Sequence, residues 1–215
     1  MASFHQIAGK QILPLTDDWR ESFIQDKVLI DIGTGDGRFI LDAAKEDPEC
    51  LCIGIDAAAE NMQKNSRTAA SKPKKGGLPN ALYIRGAAEN LPGPFENLAD
   101  IVSINYPWGS LMRITSEPDI DNLKKIRAIC KTGAELTVLL NYSVFEDDDY
   151  MQRLGLGELK KPADNPDLPD AYRQAGFEVS KSEVFAGDPP VRTMWGRHLV
   201  RGSNRTTMLI EAIAI

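Results

Sequence analysis

The sequence is short of the residues that most catalytic machinery draws on. It has three cysteines, an odd number, and two histidines, His5 and His198, in 215 residues. Cys50 and Cys52 share one apolar run with no second pair to complete a zinc site. Together with Cys130 they are expected to be reduced core thiols, and no metal is expected. No apolar run reaches the roughly eighteen residues of a membrane span, and the opening MASFHQIAGKQILPL has no signal-peptide core, so a cytosolic protein is expected. Internal repeats are absent. A positive net charge is missing too, since 31 acids against 25 bases leave a formal charge of −6. That total argues against nucleic acid, because phosphate neutralisation by Lys and Arg supplies much of such binding. The distribution points the other way. Lys64, Arg67, Lys72, Lys74, Lys75 and Arg85 follow one another without an acid between them, as do Arg192, Arg197, Arg201 and Arg205. Either stretch alone reads equally well as a solvated face, and the two together favour a nucleic-acid surface.

With 42% hydrophobic and 26% charged residues, the chain fits one domain over 1–215. It is divided into an N-terminal extension to about residue 26 and two linkers, about 143–169 and 186–205, expected to carry substrate contacts. The linker-like stretch around Leu156 to Pro169 is rich in Gly, Pro, Asp and Asn and reads as a long loop. Elsewhere apolar runs alternate with helical patterns. Runs at 27–32, 50–56, 81–86, 99–105 and 135–141 read as strands, with helical patterns at 39–45, 58–71, 120–130 and 171–175. Strands too apolar to face water imply a parallel sheet covered by helices on both faces, an α/β architecture. Two further strand-like runs, Glu178 to Phe185 and Thr206 to Ile215, would close it as an antiparallel pair, giving seven strands. Trp19, in an N-terminal helical pattern, reads as packing.

The chemistry is expected at the strand ends. Asp31-Ile-Gly33-Thr34-Gly35-Asp-Gly37 sits where the first strand gives way to a helix, and glycines there let backbone approach a ligand. The spacing is not that of a dinucleotide binder. Asp31 would repel a pyrophosphate and suits the cationic amino group of a methionine moiety. Asp56 ends the second strand, where a carboxylate can accept from both ribose hydroxyls, although such an acid is also a common helix cap. Ala87-Ala88-Glu89-Asn90 follows the third strand, at the place for a cofactor adenine. Asn105-Tyr106-Pro107-Trp108 follows the fourth strand. Trp108 there and Trp195 in the Arg-rich linker could sandwich a flipped purine, or could be packing anchors.

The ordered glycine turn, ribose acid and adenine contact resemble those of the Rossmann-like class I methyltransferases, and the cofactor implied is S-adenosylmethionine. A more specific resemblance rests on Asp31-IGTGDGR, Gly54-IDA, Lys72-PKKGGLPN, Ala87-AENLP, Pro107-WGSL and Trp195-GRHLVRGSNR. In this order and spacing they are similar to the aminoglycoside-resistance 16S rRNA adenine-N1 methyltransferases of the kanamycin-apramycin type, from about Val28 to Ile210. The resemblance implies a cofactor pocket lined by Asp31, Gly33, Thr34, Gly35, Asp56, Ala57, Ala88, Glu89, Asn105 and Ser110. It implies that Trp108 and Trp195 stack the target adenine beside Pro107. Lys72, Lys74, Lys75, Arg197, Arg201 and Arg205 would grip rRNA, their two segments flanking the pocket from the loop before the third strand and the linker before the last. The substrate implied is the small (30S) ribosomal subunit, methylated at N1 of the decoding-site adenine, position 1408 in ribosomal numbering, with aminoglycoside resistance as the outcome. His198 and Ser203-Asn204 depart from the more basic residues of that pattern, and the acidic run Glu146 to Asp149 would have to face away from RNA. A monomer is expected.

Adenine N1 carries an in-plane lone pair at neutral pH, so no general base is needed and positioning would supply most of the rate. That suits a chain with so few histidines. The rivals are a tRNA guanine-N7 methyltransferase of the same fold and a non-catalytic RNA-binding module that keeps a cofactor pocket. A nicotinamide dehydrogenase is disfavoured by the glycine spacing.

Overall fold

The computed structural model describes residues 4–117, 119–153, 161–186 and 206–215. Five strands form its parallel centre: β3 (Lys27–Ile32), β4 (Cys50–Asp56), β5 (Ala81–Arg85), β6 (Ala99–Asn105) and β7 (Cys130–Asn141). Here β1 (His5–Ala8) and β2 (Gln11–Pro14) precede them, and β8 (Phe177–Ala186) and β9 (Thr206–Ala214) follow. The spatial order is β2-β1-β5-β4-β3-β6-β7-β9-β8. The α/β class and the terminal antiparallel pair expected from the sequence are present, since β9 runs antiparallel to both β7 and β8.

Among the described residues the sheet has nine strands where seven were expected. The extra two are a hairpin made by the N-terminal extension, which pairs antiparallel with β5 through His5↔Arg85 and Gln6↔Ile84. Each of its strands has four residues, too few to show a period, and Gly9 supplies the turn at φ 63°. Trp19 follows in a short 3₁₀ turn and packs on Phe23 and Phe95, as a core indole.

Alternate residues of one strand serve two cores, which is why the runs are apolar throughout. Leu51, Ile53 and Ile55 of β4 join a cluster with Leu123, Ile126 and Ile129 of α4 (Ile120–Ile129) and Tyr172 of α6 (Leu168–Gln174). Cys50 and Cys52 face the other way, against Ile40 and Ala44 of α1 (Arg38–Glu46) and Met62 of α2 (Ala59–Ala69). All three thiols are buried and free. Each large aliphatic side chain so buried contributes about 1.5–3 kcal/mol. Two more α-helices are described, α3 (Gly109–Ser116) and the short α5 (Asp148–Arg153).

The strand order positions the site. From β3 the chain winds outward in both directions, to β4 on one side and β6 on the other. The connections leaving the C-terminal ends of β3 and β6 pack on opposite faces, through α1 and α3, and the crevice between them is where such sheets bind ligands.

Candidate active site

The C-terminal ends of β3, β4 and β6 surround a cavity of about 390 Å³. Its floor is Asp31, which β3 buries beside Ser103 of β6. The Ser103 hydroxyl donates to Asp31 Oδ1 at 2.7 Å and the Asn105 amide donates to the same oxygen at 2.9 Å. Burial pushes the carboxyl up to about 6 against the pull of these hydrogen bonds, and nearby Asp56 adds to the rise. Asn105 Oδ1 is also buried, with no partner among the described residues. An unused acceptor and a desolvated carboxylate fit a ligand that brings a cation; they do not fit a phosphate.

The loop after β3 can lie this close only because of its glycines. Gly33 has φ 73°, and a Cβ there would sit 2.7 Å from Leu111 Cδ2. The loop is tied to β4 by Asp56, whose carboxylate accepts from Gly35 N and Ala58 N, each at 2.8 Å. Asp56 therefore braces the glycine loop against the turn before α2 while lining the cavity. The N-cap of α2 is Ala58, with no side-chain cap, so Asp56 is not the helix cap. Beyond β5, the 3₁₀ turn Ala88–Asn90 forms the opposite wall, held by Lys125 of α4, whose ammonium donates to Glu89 O at 2.9 Å.

At the mouth, the chain leaves β6 through Tyr106, Pro107 and Trp108 and enters α3. Trp108 is the N-cap of α3 and stands 48% exposed, so the indole is not a core anchor.

All ten residues expected to hold the cofactor line this one cavity: Asp31, Gly33, Thr34, Gly35, Asp56, Ala57, Ala88, Glu89, Asn105 and Ser110, with Pro107 and Trp108 beside them. The sequence reading missed Phe39 and Asn61, which also line it. Phe39 lies in the first turn of α1 and Asn61 in the first turn of α2, so their nearness to the glycine loop and to Asp56 was the available signal.

Lys72, Lys74 and Lys75 are a correction. They do not flank the cavity. They lie exposed in a turn beyond the C-terminal end of α2, at the edge where the parallel strands begin. The cavity lies where those strands end, and the 11 residues of α2, at about 1.5 Å each, separate the two by roughly 16 Å. Exposed Lys64 and Arg67 on α2 bridge that distance. Glu146 to Asp149, by contrast, follow the C-terminal end of β7, on the cavity's own edge of the sheet, and are exposed. Trp195, Arg197, Arg201 and Arg205 lie outside the described residues.

Comparison with known proteins gives a consistent picture. The family model described as NpmA, 16S rRNA (adenine(1408)-N(1))-methyltransferase, matches residues 5–214. A 16S rRNA (adenine(1408)-N(1))-methyltransferase of Escherichia coli is 32% identical over 187 residues, 84% of either chain. The crystal structure of the aminoglycoside resistance methyltransferase NpmB1 is 40% identical, with a TM-score of 0.85 over 99% of this chain and 100% of that one. A tryptophan-to-alanine variant of the Catenulisporales acidiphilia 16S rRNA (adenine(1408)-N(1))-methyltransferase, solved with its cosubstrate SAM, is 28% identical. Its TM-score is 0.85, over 99% of this chain and 97% of that chain.

Proposed function

We propose a division of labour within one cavity, starting from the fact that the chain belongs to the 16S rRNA (adenine(1408)-N(1))-methyltransferase family and is an S-adenosylmethionine-dependent rRNA methyltransferase. The carrying observation is that an acceptor-lined, buried floor and an exposed indole share the cavity.

S-adenosylmethionine supplies an electrophilic methyl group. Asp31 and Asn105 hold its ammonium, Asp56 its ribose hydroxyls, and Ala88 and Glu89 its adenine. Gly33, Thr34 and Gly35 bring backbone against its methionine half, with Ala57 and Ser110 closing the sides. Pro107 and Trp108 present the target base from the mouth, with Trp195 as the second stacking ring. The residues remove no proton, because adenine N1 presents its lone pair in the ring plane at neutral pH. What they contribute is orientation and exclusion of water.

The substrate is the assembled 30S subunit, and the product is N1-methyladenosine at the decoding site, which confers aminoglycoside resistance. Lys72, Lys74 and Lys75, with Lys64 and Arg67, form a stripe that reads the shape of folded rRNA through phosphates at a distance from the base-binding mouth. Arg197, Arg201 and Arg205 add contacts from the linker before β9. The chain works as one cytoplasmic methyltransferase domain, as a monomer and without a metal.

Methylation at N1 blocks the Watson-Crick edge. Reverse transcription of rRNA from 30S subunits treated with the protein and cofactor is therefore expected to stop one nucleotide before that adenine. Efficient methylation of tRNA with none on 30S subunits would overturn the substrate and leave the enzyme class intact.

A further inference from the structure

Tyr106 occupies the step between β6 and Trp108 with φ 52°, in the left-handed region, although it carries a side chain and precedes a proline. Both facts oppose that backbone: a Cβ crowds the carbonyl there, and a following proline favours extended conformations. Such a residue persists only where its surroundings over-determine it. Here they do so on two strands. The Tyr106 N–H donates to Leu139 O of β7 at 2.7 Å. Its ring, 6% exposed, packs with Leu139 and Leu209 and so crosses β7 to reach β9, where the phenol oxygen lies 3.3 Å from Thr207 Oγ1.

The far partner is itself fixed. Thr207 is buried, and neighbouring Thr206 donates its N–H to Ser143 Oγ at 2.8 Å and its hydroxyl to Glu146 Oε2 at 3.0 Å. Burial raises the Tyr106 phenol above its ordinary range, so it stays a neutral hydroxyl. Trp108, by contrast, is half exposed, and the next residue, Gly109, has φ 60° with open space around it. The placement of the indole is therefore inherited from the backbone just before it.

We propose that the Tyr106 hydroxyl, held by Thr207, is a positioning device that sets Pro107 and Trp108 for the target base. This rests on the reading that the loop receives that base. The device acts on orientation and leaves cofactor binding alone, because no atom of the Tyr106–Thr207 contact is shared with Asp31 or Asp56.

Tyr106→Phe and Thr207→Val remove one hydroxyl each and keep the packing volume. Each is expected to lower single-turnover methylation of 30S subunits about two- to tenfold, with cofactor Kd unchanged, and the double variant to be no slower than the slower single. Trp108 is also watched directly. The chain has three tryptophans, so in a Trp19→Phe, Trp195→Phe background Trp108 is the remaining indole. Time-resolved anisotropy is expected to gain a fast local component when Tyr106→Phe is added. If the wild-type protein leaves 30S subunits unmethylated, the substrate reading fails and the anisotropy still decides the positioning. Unchanged anisotropy, unchanged single-turnover rate, additive losses, or a cofactor affinity that falls in step with the rate overturns it.

Discussion

Asp31 and Trp108 line the same cavity, yet they sit in opposite physical settings. Asp31 is 1% exposed, takes two side-chain hydrogen bonds on one oxygen, and is walled by β3 and β6. Trp108 is 48% exposed at the first step of a helix. The floor is organised before any ligand arrives, whereas the mouth presents, among the described residues, an exposed ring. A small cofactor can be gripped by one fold, but a base that belongs to rRNA arrives with a partner far larger than a cofactor.

The largest expected effect lies at the floor. Asp31→Ala should weaken cofactor binding roughly tenfold to a hundredfold, the worth of a charge-assisted hydrogen bond of about 1.5–3 kcal/mol. Titration calorimetry checks it, and wild-type affinity would remove the contrast with the rim. The acidity of Asp31 sharpens the test. Its carboxyl lies at about 6 in the folded protein, against about 3.9 unfolded, so the folded state binds the proton more readily. Stability without cofactor should therefore fall as pH rises from about 4 through 6. Affinity for the cationic cofactor should run the other way, dropping up to about tenfold per unit as pH falls below 6. Asp31→Asn should flatten both dependences.

Next comes the rim. Trp108→Ala should slow methylation about fivefold to a hundredfold, since base stacking on an aromatic is worth roughly 1–3 kcal/mol. An exposed ring takes little of the core with it, so the midpoint of thermal unfolding and the cofactor Kd should hardly move. A marked loss of thermal stability would instead make Trp108 part of the scaffold.

The smallest effect is expected farthest away. Lys74→Glu or Lys75→Glu should weaken 30S binding and lower the slope of log affinity against log salt by about 0.7 to 0.9 for each phosphate that is no longer neutralised. Filter binding across a salt series reads this, and unchanged slopes would remove the turn from the rRNA surface.

The floor was legible in the sequence because its signals are local. A carboxylate, a glycine turn and a strand end occupy a few consecutive residues, and parallel strands automatically bring such ends together. The basic turn was misplaced for the complementary reason. A linear sequence does not state that α2 carries the chain back to the opposite edge before β5 begins. Tyr106 could not be read at all: nothing in Asn-Tyr-Pro-Trp announces a left-handed tyrosine, whose conformation is set by Leu139 and Thr207, far along the chain. Tertiary contacts overrode local preference there.

The N-terminal hairpin has a consequence for how the protein behaves in a crowded cell. Without it, β5, with the run Ala81-Leu-Tyr-Ile-Arg85, would be the outermost strand, offering unpaired backbone groups and apolar side chains to any other open strand. The hairpin moves that edge outward to β2, four residues long and ending in Pro14, which has no N–H to give. The border that a neighbouring chain could extend thus ends on a residue unable to donate to it.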